Sequence, residues 1–93
     1  MRYVEHIEGM QNVERAIIDG VRASGIPIDA GHFRWCSGKQ FVSPPMAFEL
    51  EVKVRGRSAN AVLSRAQVDD SSRSICRLDV VTAIQVMVGT LTR

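Results

Sequence analysis

The sequence predicts a small α+β domain: a two-layer sandwich with an antiparallel sheet of three to four strands and two helices on one sheet face. Three observations lead there. Met46, Phe48, Leu50, Val52 and Val54 alternate with Ala47, Glu49, Glu51 and Lys53, the period of a strand with one buried and one wet face. Val13, Ala16, Ile17, Gly20 and Val21 recur at helical spacing and form one apolar stripe. The chain has 93 residues, 45% of them hydrophobic and 24% charged. A chain of that size buries roughly 60–65% of its extended surface, which sustains one core and a single domain over residues 1–93.

The elements follow in order. Residues 12–25 predict a helix. Asn12 is a suitable N-cap, Glu14 suits the positive helix start, and Gly25 followed by Pro27 marks the stop. Residues 2–7 read either as a short strand or as an earlier helical turn. Gly9 counts against a continuous helix, at a cost of about 1 kcal/mol relative to Ala. Residues 30–37 predict a strand with Phe33 and Trp35 on one face. Ser37-Gly38-Lys39 is a turn, and Ser43-Pro44-Pro45 is a rigid break because neither proline donates to a ladder. The 46–54 strand comes next, and Arg55-Gly56-Arg57 turns the chain.

The last third fits two templates. Over 58–67, Ala59, Val62, Leu63 and Ala66 have helical spacing with Ser58 as cap, yet the segment also reads as the return strand of a hairpin. Asp69 to Ser72 is a polar break. Over 75–91, Cys76, Leu78, Val80, Ile84, Val86 and Val88 share strand parity, while Val80, Ala83, Ile84, Met87 and Leu91 share a helical face. β-Branched richness favours strand; Asp70 or Ser71 as cap and Gly89 as stop favour helix. Two architectures survive: the ferredoxin-like βαββαβ plait, which is preferred, and αβββα.

Chemistry-bearing motifs are absent. Gly38-Lys39 lacks the glycine loop and the following hydroxyl residue of a phosphate cradle. His6, His32, Cys36 and Cys76 are the bare inventory of a tetrahedral metal site, but no close Cys pair or close His pair occurs. His32 is instead read as a strand-surface residue and both cysteines as reduced, mostly buried core thiols. The expectation is a non-enzymatic protein with no catalytic residues, no metal and no cofactor. Neither a secretory signal nor an apolar run of membrane-spanning length is seen, so a cytoplasmic location without membrane contact is expected.

Two features suggest binding. From residue 33 to 48 the chain collects four of its five aromatics. There Trp35, Phe41, Val42, Pro44 and Pro45 form a candidate protein interface, since an apolar loop stiffened by Pro-Pro orders at low cost when a partner arrives. The second feature is charge. Ten arginines and two lysines leave a formal net charge of +2. Lys53, Arg55, Arg57, Arg65, Arg73 and Arg77 face only Asp69 and Asp70 within 53–77, while the rest of the chain is slightly acidic. Those six residues are a candidate nucleic-acid face, because the guanidinium fork suits phosphate.

The leading expectation is a protein-binding domain: an adaptor, an immunity-type factor, or a phage or plasmid inhibitor of a host complex. Nucleic-acid binding is the alternative. Homodimerisation is also expected, because a small open sheet leaves edges that want pairing.

Overall fold

A computed structural model describes residues 3–36, 47–75 and 77–93. In chain order it contains α1 (Tyr3–Arg22), a single 3₁₀ turn (Ala30–His32), β1 (Phe33–Cys36), β2 (Ala47–Val54), β3 (Arg57–Ser64), a short α2 (Arg65–Asp70) and α3 (Leu78–Leu91). The strands form an antiparallel meander in the order β1-β2-β3. The α+β class is therefore as expected. The preferred plait does not form: it needs strands at residues 2–7 and 75–91, and the described parts of both lie in α1 and α3, apart from Ile75 and Arg77, which belong to no strand. The element order matches αβββα, with α2 added between β3 and α3.

β2 does what its alternation requires. Phe48, Leu50, Val52 and Val54 are buried, while Glu49 and Lys53 are exposed. Ala59 and Leu63 of β3 continue the same buried face. On β1, Phe33 pairs with Val52 and Trp35 with Leu50, so both aromatics look toward the helices. Cys36 falls on the opposite parity and is exposed, which corrects its expected place in the core. His32 is not a strand residue. The Asp29 N–H donates to His32 Nδ1 at 3.1 Å, and Asp29 Oδ1 accepts from the Gly31 N–H at 2.9 Å, closing the 3₁₀ turn.

The β2–β3 hairpin closes through Arg55 and Gly56, with φ of 54° and 77°. Two successive positive φ values make the mirror-image turn whose twist matches that of paired strands. The 58–67 segment resolves into strand and then helix. The change occurs at Ser64, whose Oγ accepts from the Gln67 N–H while Gln67 Oε1 accepts from the Ser64 N–H. This reciprocal pair satisfies two otherwise orphaned donors and starts α2.

α1 begins earlier than its expected start at residue 12 and runs straight through Gly9. Gly9 is buried against α2, and a methyl group there would overlap the Val68 carbonyl oxygen. Backbone packing thus offsets the low helix propensity of glycine. Asn12 is not a cap. Its side-chain amide donates to the carbonyls of Ser71 and Ser72 at 2.7 and 3.1 Å, latching α1 to the turn after α2. The helix ends as expected, with Gly25 at φ 84°.

Residues 78–91 are helical despite their β-branched content. Val80, Ile84, Met87 and Leu91 are buried at spacings of four, three and four. Gly89 lies inside the helix, and neither Asp70 nor Ser71 caps it. The residue preceding the helix is Arg77, with no side-chain cap bond. Buried residues of α1, α2, α3, β2 and β3 share one core, all on one side of the sheet. The other side carries Arg34, Cys36, Glu49, Lys53, Ser58, Asn60 and Val62, all exposed. Among the described residues, no helix is long and apolar enough to cross a membrane.

Candidate functional site

The helix layer is incompletely filled. α1 and α3 run close together: a methyl group on Gly20 would lie 2.9 Å from Val88 Cγ2. Toward the outside, small residues fail to close the seam. Ala16 and Gly20 on one wall, with Ile75, Val81, Ile84 and Val88 opposite, border an open groove of about 520 Å³. Gly89 lines the same groove, and a methyl group there would meet nothing within 4 Å. Elsewhere on α3, Leu78 and Val86 are 79% and 63% exposed. The groove is mainly apolar because it interrupts a hydrophobic stripe, and its concavity reflects the small residues Ala16 and Gly89, whereas the space beside Gly20 is taken by Val88. It can accept an apolar side chain or a helix ridge; it offers no general acid, base or nucleophile.

The residues expected to form a cationic face are divided between two ends of the molecule. Arg55 and Arg57 sit at the hairpin tip and border a cleft of about 340 Å³ that also includes Arg93 and Thr92. Arg55 also lines a neighbouring hollow with Arg22 and Asp29. Arg65, Arg73 and Arg77 lie beyond the other end of β3, an eight-residue strand spanning roughly 23 Å at about 3.3 Å per residue. There the acids meet them. Arg65 Nε lies 3.5 Å from Asp69 Oδ2. Arg77 donates to Asp70 at 3.0 Å and twice to Asp79, at 3.1 and 2.8 Å. Those bonds from Arg77, followed by one from the Gln67 amide, hold the Asp79 carboxyl below its ordinary value, and the Arg77 guanidinium is raised in turn by Asp79 and Asp70. Lys53, on the outer sheet face, lies 3.8 Å from Glu51.

Trp35 is half-buried. Its indole N–H donates to Glu14 Oε2 at 2.6 Å, and its ring meets Phe48 edge-on with centroids 6.5 Å apart. Phe41, Val42, Pro44 and Pro45 lie outside the described residues, as does Cys76. On the outer face, Arg34, Cys36, Glu49, Glu51 and Asn60 border a shallow hollow of about 220 Å³. Among the described residues, no three His, Cys, Asp or Glu side chains gather into a group that could hold a metal ion.

Sequence reasoning passed over the groove, and over Arg22 and Arg93 as neighbours of the hairpin cations. One signal was present. Gly9 and Gly20 both fall on the apolar stripe of α1, where glycine is costly unless another backbone or side chain comes close. No protein-family model, curated protein or solved structure matches the chain.

Proposed function

We propose that this chain is a small, non-enzymatic, cytoplasmic protein-binding domain that takes a partner's apolar side chains into the α1–α3 groove. The observation that carries this reading is the groove itself: a concave, mainly apolar surface of about 520 Å³ that the described residues leave open. Concave apolar surfaces with few polar groups are where ligands and partner anchors bind. An adaptor, an immunity-type factor, or a phage or plasmid inhibitor of a host complex would use such a surface. The exposed thiol of Cys36 is compatible with a reducing compartment.

Gly89 provides the test. Gly89→Leu adds a bulky apolar side chain to the groove lining, from a position where a methyl group meets nothing within 4 Å, and replaces glycine in a helix, so stability should rise by about 0.5–1 kcal/mol. Proteins captured by the wild-type chain from its native host should be lost to Gly89→Leu and retained by a variant reversed in charge at Arg55 and Arg57. Retention of the same proteins by Gly89→Leu would overturn the reading.

Nucleic-acid binding is the second reading, and the four arginines gathered around the hairpin end, Arg22, Arg55, Arg57 and Arg93, favour it. It predicts salt-sensitive retention on nucleic acid that charge reversal at Arg55 and Arg57 abolishes. Retention unchanged by that reversal would remove it.

A further inference from the structure

The two edges of the sheet differ. β1 has four residues, and the Phe33 N–H already donates to the Ala30 carbonyl. β3 has eight residues, with no proline and, after Arg57, no charge up to Ser64. Natural edge strands are usually protected by such residues, by bulges or by shortness. This one has no such protection.

The backbone groups on that edge follow from the hairpin. Val54 and Arg57 flank the two-residue turn and form a hydrogen-bonded pair. Pair types alternate along an antiparallel ladder, so Arg57, Ala59, Ala61 and Leu63 bond to β2. Ser58, Asn60, Val62 and Ser64 therefore turn their N–H and C=O groups outward. The Ser64 N–H is already used, donating to Gln67 Oε1 at 2.7 Å. No described group bonds to the N–H or C=O of Ser58, Asn60 or Val62, and all three side chains are exposed, Val62 by 67%.

We propose that β3 pairs antiparallel with β3 of a second copy, with Asn60 on the two-fold axis, to make a continuous six-stranded sheet. The capped Ser64 selects this register. With Asn60 opposite its symmetry mate, Ser58 faces Val62 of the second copy and Val62 faces Ser58. All six free N–H groups of the two edges then find carbonyls, and six hydrogen bonds form. A shift by one residue about the axis would place Ser58 opposite Ser64, whose N–H is spent on Gln67 and whose C=O, as that of the α2 N-cap, takes the first bond of the helix, so two of the six bonds would be lost. A shift the other way leaves Val62 unpaired. The direction follows from charge. Antiparallel pairing keeps the two Arg57 residues about 20 Å apart, six residues along the strand. Parallel pairing would set the cationic hairpin tips side by side. Ala59 and Ala61 meet each other's mates on the helix side, where their small side chains do not hinder approach. The pairing uses the sheet edge and leaves the α1–α3 groove open, so it is independent of the protein-binding reading.

The test combines analytical ultracentrifugation of the full chain, from micromolar to millimolar concentration, with residue-resolved amide hydrogen exchange. The expected particle has twice the mass of the 10.3 kDa chain. The amides of Ser58, Asn60 and Val62 should become protected as the dimer forms, while that of Ser64 is protected throughout. Asn60→Lys sets two ammonium groups opposite each other at the axis but is exposed in the single chain, so it should give a folded monomer. Val62→Pro removes an outward-facing donor without touching the β2 ladder, and should weaken the dimer by about tenfold or more. A monomer at every concentration would overturn the proposal. So would a dimer whose Ser58, Asn60 and Val62 amides exchange freely, or one that a folded Asn60→Lys variant leaves intact.

Discussion

Trp35 on β1 is bonded to Glu14 on α1, its indole Nε1 donating to the carboxylate at 2.6 Å. The bond joins the shortest strand to the longest helix, across the edge of the core. Bonds to a charged acceptor are worth about 1.5–3 kcal/mol when formed within a protein. Trp35→Phe keeps most of the ring packing on Phe48 and loses the donor, so it should cost about 1–2 kcal/mol in urea denaturation. Glu14→Gln should cost less, because its amide oxygen still accepts. Trp35 is the sole tryptophan, so its fluorescence follows the unfolding of wild type and Glu14→Gln, and far-UV circular dichroism follows that of Trp35→Phe. Equal stability of Trp35→Phe and wild type would show that the bond contributes nothing.

Two helical glycines should respond in opposite directions. Gly9→Ala drives a methyl group into the Val68 carbonyl and should destabilise the fold by about 1–3 kcal/mol, or more if α2 is displaced. Gly89→Ala points into open space and should stabilise it by up to about 1 kcal/mol. Thermal denaturation of the two variants side by side checks the assignment of which glycine is packed.

The hairpin turn contains the only described non-glycine residue with a positive φ, Arg55 at 54°. Left-handed conformation costs most side chains about 1–2 kcal/mol, and asparagine tolerates it best. Arg55→Asn should therefore stabilise the hairpin by about 0.5–1 kcal/mol. Gly56→Ala, at φ 77° with no neighbour to clash, should destabilise it by about 1–2 kcal/mol through backbone strain alone. A destabilised Arg55→Asn would mean that the Arg55 side chain contributes more than its strain costs.

Acid should release the junction between α2 and α3. Asp79 is held below its ordinary value of 3.8, first by Arg77 and then by Gln67. A carboxyl lowered on folding adds stability that is fully present above its unfolded value and is lost as pH falls through the folded one. Asp79→Asn should thus be less stable than wild type near neutrality, with the gap closing in strong acid. Chemical denaturation at a series of pH values measures it. A gap independent of pH would show that the carboxylate charge is not what Arg77 and Gln67 stabilise.

Some of this was readable in one dimension. The alternation over 46–54, the Arg55-Gly56 turn, the apolar stripe after residue 12 and the Gly25 stop each depend on neighbours a few residues away, and each stands where local chemistry puts it. The sequence by itself determined a one-sided antiparallel sheet and a helix to cover it. Tertiary structure decided the rest. Residues 75–91 satisfy both periods, and propensities differ by only tenths of a kcal/mol per residue, so contact with α1 and β3 settles the helix. Gly9 reads as a break from its propensity alone, and Val68, packed against it, makes glycine the residue that fits. The candidate groove needs Ala16 and Gly20 against Val81 and Val88, more than sixty residues away, and the arginines of 53–77 separate because β3 carries the chain from one end of the domain to the other. Such features belong to no segment of the chain. They arise where two segments meet, and only packing determines which segments those are.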